Sequence, residues 1–454
     1  MKPPVTERFA DFIAGGNRKP ISDAAIRNAK LHILDTFGVA LAALSDPVSA
    51  IALDYCRRVG GKPEATVWGP AVKTSAPMAA FTNGLLAHAM DFDDWDAVAR
   101  VGHPSCMVVA AALAAAEAKG ASGRDFLTAY VVGIEIAAQI ALGSPNIHKR
   151  GFHGTPIFGS MGAAAAAASI VGLTPEKIKA AFGVAASGAS GIHRQQGSMV
   201  KPFHAGNAAR NGLEAALLAE LGFTADEAII ENPAGFCDTL FGEGQCNYER
   251  MLAGLGDPYY LDSPGLAFKL HPCSAPQFLA ADTTLHLVRE HRLSYKDIKR
   301  VEIKVCPIRH RRHYRPSVRT GLQGKFAINY VSAIAILEGK LEKESFTDAK
   351  VNEPVTQEAL GKIEVLVDPN IPEEGEFCPV TIELNDGTKV SYTATIAKGH
   401  PDNPLSEEEV FDKFRSNVKS VLSHERSEAL IASVSHLETL RDVHELTELL
   451  RAGA

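Results

Sequence analysis

The chain has 454 residues, 46% hydrophobic and 22% charged, with a formal net charge of −7. That length exceeds one ordinary compact domain at roughly 150 residues per domain, and the composition is that of a globular protein. The acidic balance argues against a nucleic-acid surface, which needs a basic stripe, yet a locally positive pocket for a small anion remains open. No apolar run reads as the ~20 residues of a membrane span, the longest candidate being the alanine-rich stretch 107–118. The N-terminus carries neither an apolar signal core nor a small-residue cleavage site. Seven cysteines (Cys56, Cys106, Cys237, Cys246, Cys273, Cys306 and Cys378) are odd in number and lack the short spacing of zinc or iron–sulfur ligands. They read as reduced thiols, which places the chain in the cytoplasm.

In chain order, the first 260 residues read as helix. Ser22 is placed to cap a helix running to about Ala43, and 77–90, 103–119, 123–141, 156–171, 175–186 and 205–221 follow the same pattern. Gly120 and Gly172 stand like C-terminal caps, and Pro156 and Pro175 each follow a threonine, the order of a cap and a first helical residue. After about residue 265 the period changes. Residues 300–306, 362–367, 379–384 and 388–396 alternate as strands, the last two around Asn385-Asp386-Gly387, a hairpin signal. Helices 275–290 and 326–337 interleave with them, and helix returns after Pro404. The expected organisation is a helical domain of residues 1–265 and 401–454, with a smaller α+β lid domain at 266–400.

Three segments carry groups able to do chemistry. In the first, His88, Asp91, Asp93, Asp94 and Asp96 crowd the end of a helix, and His103-Pro104-Ser105 open the next. The spacing does not fit an EF-hand, because Trp95, Asp96 and Gly102 occupy its ligand and glycine positions; aspartates capping loop amides are the plainer alternative. In the second, His153 precedes Gly154-Thr155-Pro156 at a helix start, where unpaired amides seat a carboxylate. A histidine merely packed in a loop is the alternative there. In the third, His193, Arg194, Lys201 and His204 gather positive charge before another helix. A lysine among cations loses proton affinity and can shuttle protons; a solvated basic loop is the alternative. Phosphate-loop, dinucleotide, zinc-protease and nucleophile-elbow motifs do not occur, and Gly188-Ala-Ser190-Gly191 only superficially resembles the last.

Together these segments resemble the MmgE/PrpD family across nearly the whole chain. The resemblance rests on His88-Ala-Met-Asp-Phe-Asp-Asp94, His103-Pro-Ser105, Gly151-Phe-His-Gly-Thr155, Lys201-Pro-Phe-His-Ala-Gly206 with Ala209-Arg-Asn-Gly212, Pro264-Gly-Leu266, Lys269-Leu-His-Pro-Cys273 and Gly324-Lys-Phe-Ala-Ile-Asn-Tyr330. It implies a large helical domain with a smaller α+β lid, a homodimer, and a site between the domains that needs neither metal nor organic cofactor. It implies catalytic roles for Asp91, His103, His153, Lys201 and Tyr330, with Trp95, Arg194, His204, His271, Cys273 and Phe278 around a small carboxylate substrate. Neither a nucleic acid nor a membrane is an expected partner.

Two positions depart from the family pattern. Trp95 stands where relatives often carry a small hydroxyl residue, and Phe278 where they carry a histidine; His271 is placed to substitute for that imidazole. Two aromatics there would favour a substrate with fewer carboxylates and a larger apolar part than a tricarboxylate. The resemblance implies a lyase working by proton transfer beside a carboxylate, either an elimination like that of 2-methylcitrate dehydratase or a decarboxylation. A cofactor-independent epimerase or racemase and a catalytically silent carboxylate-binding protein are the alternatives.

Overall fold

The computed structural model describes residues 2–16, 18–70, 72–372 and 377–452. They form two compact units, one of Met1–Ala89, Asp93–Phe268 and Ser406–Ala454, the other of Met90–Phe92 and Lys269–Leu405. Residues 90–92, read from the sequence as part of the helical domain, group with the second unit.

Among the described residues, the regular structure of the first unit is helical apart from a two-stranded ribbon, Ala65–Val67 with Val72–Thr74, and isolated bridges. Ser22 caps the helix Asp23–Ala42 by accepting from the Ala25 amide, and Gly120 and Gly172 adopt the left-handed conformation at two helix ends. Helices Gly123–Leu142 and Gly154–Val171 are long and apolar enough to span a membrane by length and composition, contrary to the expectation above. In each, 83% of the apolar window is buried inside the protein, so this apolarity builds the core. The two helices touch backbone to backbone: a Cβ on Gly162 would lie 2.7 Å from the Gly133 carbonyl oxygen. A second close crossing joins Ala76–Ala89 to Val200–Glu220, where a Cβ on Gly206 would lie within 2.4 Å of the Phe81 carbonyl oxygen. This crossing brings the end of one helix to the start of the other, and with them His88 and Lys201.

Two helix starts differ from the sequence reading, and both matter for the site. The helix expected at 205 begins at Val200, so Lys201 and His204 sit in its first turns rather than in a loop. Pro202 does not prevent this, because a first-turn residue has no intrahelical amide bond to lose. The helix expected at 156 begins at Gly154, with His153 rather than Thr155 in the capping position. The Thr155 hydroxyl instead accepts from the His103 amide at 3.1 Å.

The second unit holds a four-stranded sheet in the order Ile363–Val367, Ile298–Val305, Cys378–Leu384 and Lys389–Ala394. The first pair is parallel and the others antiparallel, the last closing through the Asn385-Asp386-Gly387 turn. Helices Phe278–Glu290 and Ile328–Glu338 belong to the same unit. The chain is therefore mainly α with a small α+β part.

Candidate active site

Within the first unit, four helix ends place a group of histidines, all but the partly exposed His103 buried, around one lysine. His88 lies in the last turn of Ala76–Ala89, His103 just before Ser105–Lys119, His153 at the cap of Gly154–Val171, and Lys201 and His204 three residues apart on Val200–Glu220. Positions i and i+3 of a helix share a face. The His88 Nδ1 lies 2.8 Å from Asp93 Oδ2, and its Nε2 lies 3.0 Å from the Lys201 ammonium. The His103 ring is 4.5 Å from that of His88, and His103 Nδ1 donates to the Asp94 carbonyl oxygen at 2.8 Å. His153 and His204 face each other Nδ1 to Nδ1 at 3.2 Å, so one of them must carry the proton between them.

Burial, then the nearby Lys201, His88, His103 and His204, hold His153 well below the ordinary imidazole range. Burial, then His88 and Lys201, push His204 down to about 4. Both rings are thus neutral at neutral pH beside the Lys201 side chain. An imidazole kept neutral by burial binds fewer protons folded than unfolded between its two pKa values, so stability falls as pH drops through that window. For His204 the window runs from 6.5 down to about 4. The melting temperature of His204→Gln is expected to fall less than that of wild type between those pH values; parallel curves would contradict this.

A second layer backs the first. The Asp94 carboxylate accepts from the Ser105 hydroxyl, which also lies 2.6 Å from the Tyr130 hydroxyl, and His32 Nδ1 is 3.2 Å from it. Asp96 accepts from the Val98, Ala99 and Val101 amides and the Tyr260 hydroxyl, which makes it the loop cap that the plainer reading allowed. Deeper still, Lys413 Nζ lies 2.7 Å from buried Asp35. His88, Asp93 and His103 hold their ligand atoms within 4.8 Å of one another, a spacing a metal accepts. The chemistry of this donor set opposes a cation, since one His88 nitrogen faces Asp93 and the other faces the Lys201 ammonium.

The remaining named residues are placed as follows. Trp95, in the first unit, is half-buried and pairs with Ala267 through both backbone groups. Arg194 is exposed on a short 3₁₀ turn. The other five belong to the second unit. Asp91 is buried, takes a left-handed backbone at φ 54, and pairs its carboxylate with the fully buried Lys269. Lys269 Nζ also donates to the Asp91 carbonyl, and Lys325 Nζ donates to the Met90 carbonyl, each at 2.9 Å.

Tyr330, expected to orient proton carriers, instead donates its buried hydroxyl to the Ser345 carbonyl at 2.5 Å. Burial raises the Cys273 thiol, leaving it protonated and packed rather than exposed to a ligand. Phe278 is 2% exposed and packs within the second unit. Its ring meets His271 edge-on at 5.8 Å, and His271 Nε2 lies 2.8 Å from Asp282. The imidazole missing at position 278 is thus present beside it, which removes half the ground for expecting a less carboxylated substrate.

Sequence reasoning named His103, His153, Lys201 and His204 but left His88 and Asp93 outside the site. The signal lay in their spacing, because a histidine in the last helical turn and an aspartate five residues on can meet around the helix end. Lys269 and Lys325 were likewise passed over, although both lie within the quoted family segments.

The MmgE/PrpD N-terminal domain matches residues 7–249 and the MmgE/PrpD C-terminal domain matches residues 271–439. Human cis-aconitate decarboxylase is 33% identical, over 98% of this chain and 94% of its own length. The mouse cis-aconitate decarboxylase is 32% identical, over 98% and 93%. A mitochondrial 2-methylcitrate dehydratase of Yarrowia lipolytica is 24% identical, over 85% and 77%. The chain belongs to the MmgE/PrpD family and is a lyase of that family.

Proposed function

We propose that the protein decarboxylates a small unsaturated tricarboxylic acid of the cis-aconitate type, using the histidine–lysine cluster of the first unit. The observation that carries this reading is the Lys201 ammonium held 3.0 Å from His88 among histidines that burial keeps neutral. Full-length similarity to cis-aconitate decarboxylases supports the choice of reaction. Loss of carbon dioxide breaks a carbon–carbon bond and leaves its electron pair on the substrate skeleton. Where a double bond conjugates that carbon with a second carboxylate, the pair spreads onto the carboxylate oxygens. A fixed ammonium stabilises the charge that builds there. A proton must then be added at carbon, a task for a positioned acid.

His103 suits that task. Its Nδ1 proton is committed to the Asp94 carbonyl, so to act as the acid the ring takes a second proton from solvent on Nε2 and delivers that one to carbon, returning to the neutral Nδ1–H form; its side chain is 12% exposed. Of the neutral pair His153 and His204, the ring that accepts at Nδ1 carries its own proton on Nε2 and can donate it to a substrate carboxylate without adding charge. The helix start at Gly154 adds amides with partial positive character. The substrate's own conjugated carboxylate takes up the electrons, so the proposed chemistry requires neither a metal nor an organic cofactor.

The test is a substrate panel. On cis-aconitate, kcat/KM is expected to reach the range of working enzymes, on the order of 10⁴ M⁻¹s⁻¹ or more, with 2-methylcitrate at least tenfold poorer. The reverse order would replace decarboxylation by dehydration.

A further inference from the structure

Resting on that reading of the site, we propose that Asp93 and His88 form a positioning dyad that fixes one imidazole tautomer and, through it, the direction of the Lys201 ammonium. Asp93 and His88 have side chains with no exposed surface, so no water competes for their contact. The Asp93 oxygens lie 2.8 and 3.1 Å from His88 Nδ1. An ionised carboxylate only accepts, so Nδ1 carries a proton. On the opposite edge of the ring, an ammonium only donates, so Nε2 presents its lone pair to Lys201 at 3.0 Å. The three groups therefore point one way, with lysine donating to histidine and histidine to aspartate. A free neutral imidazole has no such constraint. Without Asp93, an Nε2–H ring would set a donor against a donor and turn the ammonium away.

The next residue works the same way by a different route. Asp94 offers its backbone carbonyl to His103 Nδ1, while Ser105 holds its carboxylate. Two consecutive aspartates thus set the proton positions of the two histidines whose rings lie 4.5 Å apart. Asp93 reaches Lys201 through His88, and its Oδ2 also lies 3.5 Å from His103 Nδ1, so it is a positioning residue.

The test uses the full chain with cis-aconitate and compares Lys201→Ala, His88→Gln, Asp93→Ala and Asp93→Asn. Imidazole ¹⁵N spectra, with the His88 signals identified by their loss in His88→Gln, are expected to show Nδ1–H and a bare Nε2 in wild type. In Asp93→Ala that pattern is expected to be lost, while His103, whose Nδ1 keeps the Asp94 carbonyl at 2.8 Å although Asp93 Oδ2 at 3.5 Å is removed, is expected to retain its Nδ1–H. The kcat of Asp93→Ala is expected to fall by about 10²-fold or more, the scale of a misplaced acid–base group, with KM changing far less. Asp93→Asn keeps the side-chain volume and carries the same test if the alanine variant does not fold. If Lys201→Ala keeps its rate, the reading of the site fails. If Lys201→Ala is inactive while both Asp93 variants keep wild-type kcat and the Nδ1–H tautomer, the dyad is overturned and the site stands.

Discussion

Lys201→Ala is expected to lower kcat by 10²- to 10⁴-fold, the range for a positioned proton-transfer or charge-stabilising group. In the proposed reaction the Lys201 ammonium stabilises the charge that collects on the substrate carboxylate. Stability is expected to move differently. Lys201 is among the causes that depress His153 and His204, so its removal lets both rings recover proton affinity. The variant is then less sensitive to acid between pH 6.5 and 4 than wild type, by the linkage argument above. Lys201→Arg is not expected to restore activity, because a planar guanidinium fork does not reproduce the compact ammonium that His88 Nε2 holds at 3.0 Å. Steady-state kinetics with melting curves at several pH values check both halves. A Lys201→Ala enzyme with near wild-type turnover would place the chemistry elsewhere.

Lys413→Ala is expected to destabilise the protein by about 3–5 kcal/mol, the penalty for leaving a buried charge without its partner. Lys413 and Asp35 are 5% and 1% exposed and lie 2.7 Å apart. Burial pushes Asp35 up and Lys413 down, while each opposes that shift in the other. Neither group can reach water if its partner is removed. The double variant Asp35→Asn with Lys413→Met removes both charges and is expected to recover much of the loss. Urea unfolding of the three proteins measures this. Equal stability of the single and double variants would mean that the two charges are not coupled.

The sequence made the helices legible wherever capping chemistry was local. Ser22, Gly120 and Gly172 mark three helix ends that the structure reproduces. It misled at Pro156, read as the first helical residue although the helix begins at Gly154, and at the helix read from 205, which begins at Val200 with Pro202 in its first turn. That error hid the most useful geometry, namely that Lys201 and His204 share a helical face. The short ribbon 65–67 with 72–74 left no periodic signal, because three residues are too few to alternate. Tyr330 shows a different limit. Its residue type matches the family, but only coordinates reveal that the hydroxyl is committed to Ser345. For His88 and Asp93 the residues were in view, and their pairing needed three dimensions.

The most direct test follows one turnover in deuterated water. Cis-aconitate is supplied to wild type and to Lys201→Ala, with carbon dioxide counted and the product read by proton NMR. Decarboxylation by this cluster predicts one carbon dioxide per product and one solvent deuterium on a product carbon in wild type, with both nearly lost in the variant. Deuterium entering unreacted substrate without carbon dioxide, or equal release of carbon dioxide by both proteins, would contradict it.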